Sequence, residues 1–175
     1  DGVRFLVEMQ NWSQHYFNKR AVYYSSFAIQ DQAAKEKRHQ LKTLKKDKWD
    51  YNFAPVYLVC FLTFNMKRDL PELTKVKEDD YISIYKYMDV ETNELLEDGT
   101  TLIFIELKKF SKNLKECDTE KDRWICSLKS MGDQLEMPKE LSGTILQTLY
   151  DKAALAAMSQ EKRTIYISKT MSRND

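Results

Sequence analysis

The 175-residue sequence predicts an α/β fold, a mixed sheet flanked by helices with a helical C-terminal part. Two observations carry the prediction. Apolar residues alternate with period two over 3–10 and then recur at helical spacing over 12–34, before an unbroken apolar run at 54–64. Two further strand-like segments follow, and the last third of the chain returns to helical spacing.

The elements follow in order. Over 3–10, Val3, Phe5, Val7 and Met9 share one strand face, and Arg4, Leu6, Glu8 and Gln10 share the other. From Trp12 to Ala34, at 100° per residue, Tyr16, Phe17, Ala21, Tyr23, Tyr24, Phe27 and Ala28 form one broad stripe. The run from Ala54 to Phe64 is apolar and rich in β-formers, as a strand covered on both faces would be. Tyr81–Met88 and Thr101–Leu107 read as further strands, the second entered through an Asp98-Gly99 turn. Thr119 is placed to cap a helix carrying Trp124, Leu128 and Met131. Pro138 is placed to open another, with Leu141, Ile145, Leu149, Ala153 and Ala156 along one face. Residues 160–175 read as a short helix or frayed end. These elements divide into a core over 1–115 and a helical extension of the same domain over 116–175.

Composition removes several function classes. The four glycines are dispersed, so the chain has no glycine loop of the phosphate-cradling type. Three cysteines without CxxC spacing form neither a disulfide scaffold nor a zinc knuckle, and Cys60 reads as a small core residue. His15 and His39 are too few and too far apart for a histidine zinc site. The longest apolar run falls short of the roughly 20 residues that a bilayer-spanning helix needs, so no membrane partner is expected, and the cysteine usage favours a reducing, cytoplasmic setting. A metal, if used, should be a hard ion with oxygen ligands, such as Mg²⁺. The net charge of +1 hides two blocks. Residues 35–48 hold Lys35, Lys37, Arg38, Lys42, Lys45, Lys46 and Lys48 against two acids, and 69–98 hold ten acids against three lysines. The basic block suits phosphate contacts or a solvated helix extension equally. Trp49 and Tyr51 beside it read as packing anchors rather than base-stacking platforms, and the acidic block would repel DNA.

The triplet Glu8-Met9-Gln10 carries the chemistry. Residues two apart on a strand project from one face, so a carboxylate and an amide stand side by side there. Phosphodiester hydrolysis uses carboxylates to hold a metal and a polar neighbour to orient water, although solvent-facing strand residues give the same spacing. Arg20 falls inside the aromatic stripe of the next helix and needs a partner there. A Glu8/Gln10 edge, a scissile phosphate and an unrelated structural acid all qualify. Glu106 and Lys108 share a strand face with Lys109 at its end, a pattern that a strand-end ion pair explains.

Asp1-Gly2 with Arg4–Gln10, then Gln14-His15-Tyr16-Phe17, Arg20 and Tyr23-Tyr24-Ser25, resembles the signature of the PD-(D/E)XK nuclease family transposases, also called recombination-promoting nucleases. The resemblance runs on through Gln32, Tyr51-Asn52, Pro55–Leu58, Phe104–Phe110, Lys121–Ile125, Ala153, Met158-Ser159 and Tyr166. It implies a restriction-endonuclease-like core, Mg²⁺-dependent DNA cleavage, and a link to recombination or mobile elements. Carried onto this chain, Glu8 is the metal-binding and catalytic acid, and Gln10 stands where the superfamily usually has Lys. In that reading Arg20 is a supporting cation, and the basic block offers Lys35, Lys37, Arg38, Lys42, Lys45 and Lys46 as candidate nucleic-acid contacts through its local charge. DNA is the implied partner, with a homodimer as the candidate assembly.

The resemblance also implies a metal-binding Asp on the strand preceding Glu8. Asp1 is a poor substitute, since seven strand residues separate it from Glu8 by roughly 23 Å. The expectation is therefore an N-terminally truncated chain, one strand short of its metal site and inactive as it stands. The alternatives are a non-catalytic DNA- or protein-binding remnant of the same fold, and an unrelated α/β interaction domain.

Overall fold

The alternating N-terminal segment forms strand β1 (Arg4–Gln10), followed by helix α1 (Phe17–Arg38) and strand β2 (Val56–Leu62). Strand β3 (Ile82–Tyr85) and strand β4 (Thr100–Glu106) complete the sheet, and helices α2 (Glu120–Ser130) and α3 (Ile145–Ala157) follow. The computed structural model describes residues 3–11, 13, 15–66, 80–96, 99–131 and 137–157. Two units divide between Ser111 and Lys112. The expected tail over 160–175 and most of the acidic block at 69–79 lie outside the described residues.

The first unit is the predicted α/β core. Its strands run in the order β1-β2-β4-β3, with β1, β2 and β4 parallel and β3 antiparallel to β4, so the sheet is mixed. The register aligns Glu8 with Cys60 and Phe104 across the sheet, and Gln10 with Leu62 and Glu106. Parallel strands require a crossover, and α1 supplies the one between β1 and β2. The helix covers the face carrying Leu6, Leu58, Cys60, Leu62 and Phe104, where Phe17 and Ala21 enter the core with Phe64 and Met66 packed at its edge. Phe17 lies 5.3 Å from Phe104 and 6.0 Å from Phe64, ring to ring. Gly99 turns the chain into β4 with φ +68°, a left-handed conformation that glycine adopts without steric cost. Its carbonyl accepts the Val56 N–H at 2.6 Å.

Three sequence expectations shift. Helix α1 begins at Phe17 rather than near Trp12, because Tyr16 takes φ +64° and closes the preceding loop. Its buried face is narrower than the aromatic stripe: Phe17, Ala21, Ser25 and Ala28 face the sheet, while Tyr23 and Phe27 are exposed and meet edge to face at 4.7 Å. Small side chains let helix and sheet approach, and the bulky rings go to the flank. Strand β2 is fully buried only on its α1 side, and its other face is half-covered among the described residues.

In the second unit, Thr119 caps α2 as expected, its Oγ1 accepting the Asp122 N–H at 3.1 Å. Asn113 and Glu116 form a reciprocal capping box on the short 3₁₀ turn before it. Pro138 opens a 3₁₀ turn over Lys139–Leu141 and not the helix itself. Gly143, with φ +75°, then breaks the chain before α3. The break resets the helical register, so Leu146 and Tyr150 join Leu141 in the core and Ile145 faces outward.

Candidate active site

Period-two alternation puts Glu8 and Gln10 on the sheet face that α1 covers. Glu8 Oε1 accepts a hydrogen bond from Arg20 Nη2 at 2.7 Å and a second from Gln10 Nε2. The sequence reading left the partner of Arg20 open, and the structure brings the three residues together. The pair is half-buried, with Glu8 21% and Arg20 28% exposed. At 100° per residue the buried residues of α1 occupy about 80° of the helical wheel, and Arg20 lies about 60° outside that arc on the Phe17 side, where a charged head can meet the strand edge. The guanidinium also sits 5.4 Å from the Tyr24 ring centre, a cation–π contact on the same helix. Beneath Glu8, Cys60 is fully buried, and that burial, with the nearby carboxylate, pushes its thiol up to about 12.

The local turn positions the cation. Tyr16 holds a left-handed conformation, which a bulky residue seldom adopts, and its carbonyl accepts the Arg20 N–H at 3.1 Å. Arg20 is thereby fixed in the first turn of the helix. A cleft of about 470 Å³ opens beside this turn, lined by Ser13 and His15–Lys19 on one side and the Phe64–Met66 segment on the other. Neither Glu8 nor Arg20 lines it.

A second carboxylate lies on the same face. Glu106, at the end of β4, is completely buried. It accepts the Met66 N–H at 2.7 Å and pairs with Lys109 Nζ at 3.2 Å, a strand-end ion pair as the sequence suggested. However, β4 ends at Glu106, so Lys108 lies in the 3₁₀ turn Leu107–Lys109 and not on the strand face of Glu106. Two inter-strand spacings separate it from Gln10, roughly 10 Å. Glu106 anchors the rim of the cleft through Met66.

The basic residues sit elsewhere. Lys35 pairs with Asp31 at 3.1 Å, and Arg4 holds the same carboxylate. Lys46 pairs with Asp50 at 2.8 Å, and Lys37 lies 5.6 Å from the Trp49 ring centre. Arg38, Lys42 and Lys45 are exposed and make no ion pair among the described residues. Fifteen helical residues part Lys35 from Arg20, about 22 Å along the axis. The structure thus separates the cations from the Glu8 cluster.

Glu8 and Gln10 offer one carboxylate and one amide oxygen, and Oε1 of Glu8 is already engaged by two donors. No group of three His, Cys, Asp or Glu side chains forms a metal site among the described residues. Those residues therefore do not complete a Mg²⁺ site. The edge of β1 opposite β2 has no strand partner among the described strands.

A family model described as PD-(D/E)XK nuclease family transposase matches residues 1–175, the whole chain. The chain belongs to this family. The match extends the resemblance first visible around Glu8, Gln10 and Arg20 over both units, and the mixed sheet with flanking helices is consistent with the family's fold. No curated protein and no solved structure gave a match. Among the described residues, no helix is long and apolar enough to cross a membrane.

Sequence reasoning missed two residues that shape the molecule. Gln40, in the π-helical turn His39–Thr43 that ends α1, is 98% buried as a polar side chain, with 2% of its surface exposed. Tyr51, read as a packing anchor, is instead largely exposed. A polar residue inside a basic run gives no sign of burial, and the left-handed backbone at Tyr51 has no glycine or asparagine to announce it.

Proposed function

We propose that this protein is a DNA endonuclease of PD-(D/E)XK type, acting in recombination or with mobile elements. Glu8 is its catalytic acid and metal ligand, Gln10 its water or phosphate positioner and Arg20 its supporting cation. The contact of Arg20 and Gln10 with one oxygen of Glu8, in a member of a nuclease family, carries the reading. Arg20 orients the carboxylate and supplies a fixed positive charge beside it, the type of preorganised group that favours developing phosphate charge. Gln10 Nε2 steers Glu8, which leaves its amide oxygen as an acceptor for a water proton. Mg²⁺ is the metal the family implies, and it would supply Lewis-acid activation of the phosphate. Glu8 alone does not hold it, and the open edge of β1 is where a further strand would bring a second acid onto the same face.

The exposed cations at the far end of α1 fit phosphates of the same substrate. About 22 Å along the helix corresponds to roughly six base pairs at 3.4 Å each. One duplex lying along α1 would reach both ends.

The test is cleavage of supercoiled plasmid by the full-length protein, with Mg²⁺ and with EDTA. Mg²⁺-dependent nicking that is lost in Glu8→Ala supports the nuclease. DNA binding without cleavage by that protein supports the second reading, a non-catalytic DNA-binding member. The incomplete metal site among the described residues favours it.

A further inference from the structure

We infer that the loop after α1 is a stacking platform for unpaired bases, so that single-stranded DNA binds at the end of α1 remote from Glu8. The inference rests on the proposed nucleic-acid substrate but not on cleavage. Its core is Tyr51, which is 71% exposed and carries φ +61°. A tyrosine in the left-handed region is strained, and strain of this kind persists only where the surroundings enforce it.

Here the surroundings do. The side chain of Gln40, 2% exposed, clasps both neighbours of Tyr51: its Oε1 accepts the Asp50 N–H at 3.3 Å and its Nε2 donates to the Asn52 carbonyl at 3.2 Å. Asp50 adds a third tie by accepting the Asn52 N–H on Oδ1 at 3.1 Å, while its Oδ2 holds Lys46 at 2.8 Å. A backbone fixed at both sides presents the ring outward. Behind it, Trp49 stacks on Tyr51 with centroids 4.0 Å apart and rings 27° from parallel, and Lys37 covers Trp49. The exposed cations Arg38, Lys42, Lys45 and Lys48 lie within the same stretch of chain.

An exposed ring, backed by the half-buried Trp49 and flanked by cations, matches one class of partner. In a duplex the base faces are stacked on each other and unavailable, whereas a single strand offers a π-face at every nucleotide and a phosphate between. A protein partner would need an acidic surface to answer the cations, and a pocket to take the Tyr51 ring. A single strand uses both.

The experiment is fluorescence anisotropy of a labelled 12-nucleotide oligo(dT), and of a labelled 12-base-pair duplex, with the full chain, Tyr51→Phe and Tyr51→Gly. Glycine relieves the left-handed strain, so this variant removes the ring without opposing the fold. Loss of one stacked base corresponds to about 5-fold or more in Kd. The expected result is that Tyr51→Gly weakens oligo(dT) binding by at least about 5-fold, leaves duplex binding within about 2-fold, and that Tyr51→Phe binds as the parent does. Equal oligo(dT) affinity in the parent and Tyr51→Gly overturns the platform and leaves the nuclease reading standing. Absence of oligo(dT) binding by the parent overturns the platform as well, and absence of duplex binding in addition removes the nucleic-acid reading with it.

Discussion

The Arg20–Glu8 contact can be measured as a coupling free energy. The perturbation is a double-mutant cycle of Glu8→Ala, Arg20→Ala and the two combined. With Nη2 and Oε1 2.7 Å apart, the charge centres lie about 4 Å from each other. At that distance the attraction is roughly 1 kcal/mol in bulk water and about 4 kcal/mol at an effective dielectric of 20. Between a fifth and a third of each side chain remains exposed, so solvent screens a share of it. A coupling of about 1–2 kcal/mol is expected, above the 0.2–1 kcal/mol typical of exposed pairs. Native-state amide exchange of β1 and β2 is the assay, because it reports on the first unit alone. A coupling below about 0.3 kcal/mol, the size of ordinary non-additivity between independent sites, would refute the placement of Arg20 against Glu8. The accessory contact with Tyr24 cancels in the cycle, since it is present or absent equally in both arms that contain or lack Arg20.

Two further outcomes follow from the buried and the clasped carboxylates. Glu106→Ala leaves the Lys109 ammonium and the Met66 N–H without their acceptor, and removal of one partner from a buried pair costs about 3–5 kcal/mol. Glu106→Gln, which still accepts from Met66, should cost clearly less, and equal protection of β4 amides in all three proteins would contradict the burial. Asp50 is held down to about 2 from its usual 3.8 by Lys46 first, then by the Asn52 N–H and Gln40. A carboxyl depressed by folding stabilises above its unfolded value, and that contribution disappears as pH falls from about 4 through about 2. Emission from Trp49, in a Trp12→Phe/Trp124→Phe background, should therefore change over that window before the far-ultraviolet signal of the sheet does. Coincident changes would show that the clasp is not a separate element.

The sheet was legible because its strands obey local rules. The alternation of 3–10 names the faces of β1, and the apolar density of 54–64 names a central strand without any tertiary knowledge. The Glu8-Gln10 pair followed from the same period of two. Arg20 was legible only as a cation needing a partner, because which of the available acids it meets depends on how the loop before α1 closes. That closure rests on Tyr16 at positive φ, a conformation no residue type there announces. Helix faces were harder. The aromatic stripe of α1 was real in periodicity, yet burial chose its small-residue side, since Ala21, Ser25 and Ala28 permit an approach that Tyr23 and Phe27 would block. The register of α3 was lost for a local reason: Gly143 interrupts the helix between Leu141 and Ile145, and a periodicity counted through a break assigns the wrong face.

Helix α1 explains why the basic block of the composition sits apart from Glu8. Its peptide dipoles leave partial positive charge at Phe17 and partial negative charge at Arg38. The N-terminal turn contains no acid of its own, and Glu8, arriving from β1, brings a carboxylate against Arg20 there. The last turn carries Lys35, Lys37 and Arg38, the cations a negative end stabilises, and the π-helical turn that follows adds Lys42. One element of 22 residues, about 33 Å long at 1.5 Å per residue, therefore sets both the acid that would act on a phosphodiester and the cations that would hold its neighbours. The distance between the two ends is fixed by helix geometry rather than by a flexible loop. In the proposed nuclease, a substrate engaged at both ends would lie along α1, and a stiff helix packed on a sheet would hold its phosphates at a constant offset between Glu8 and the lysines.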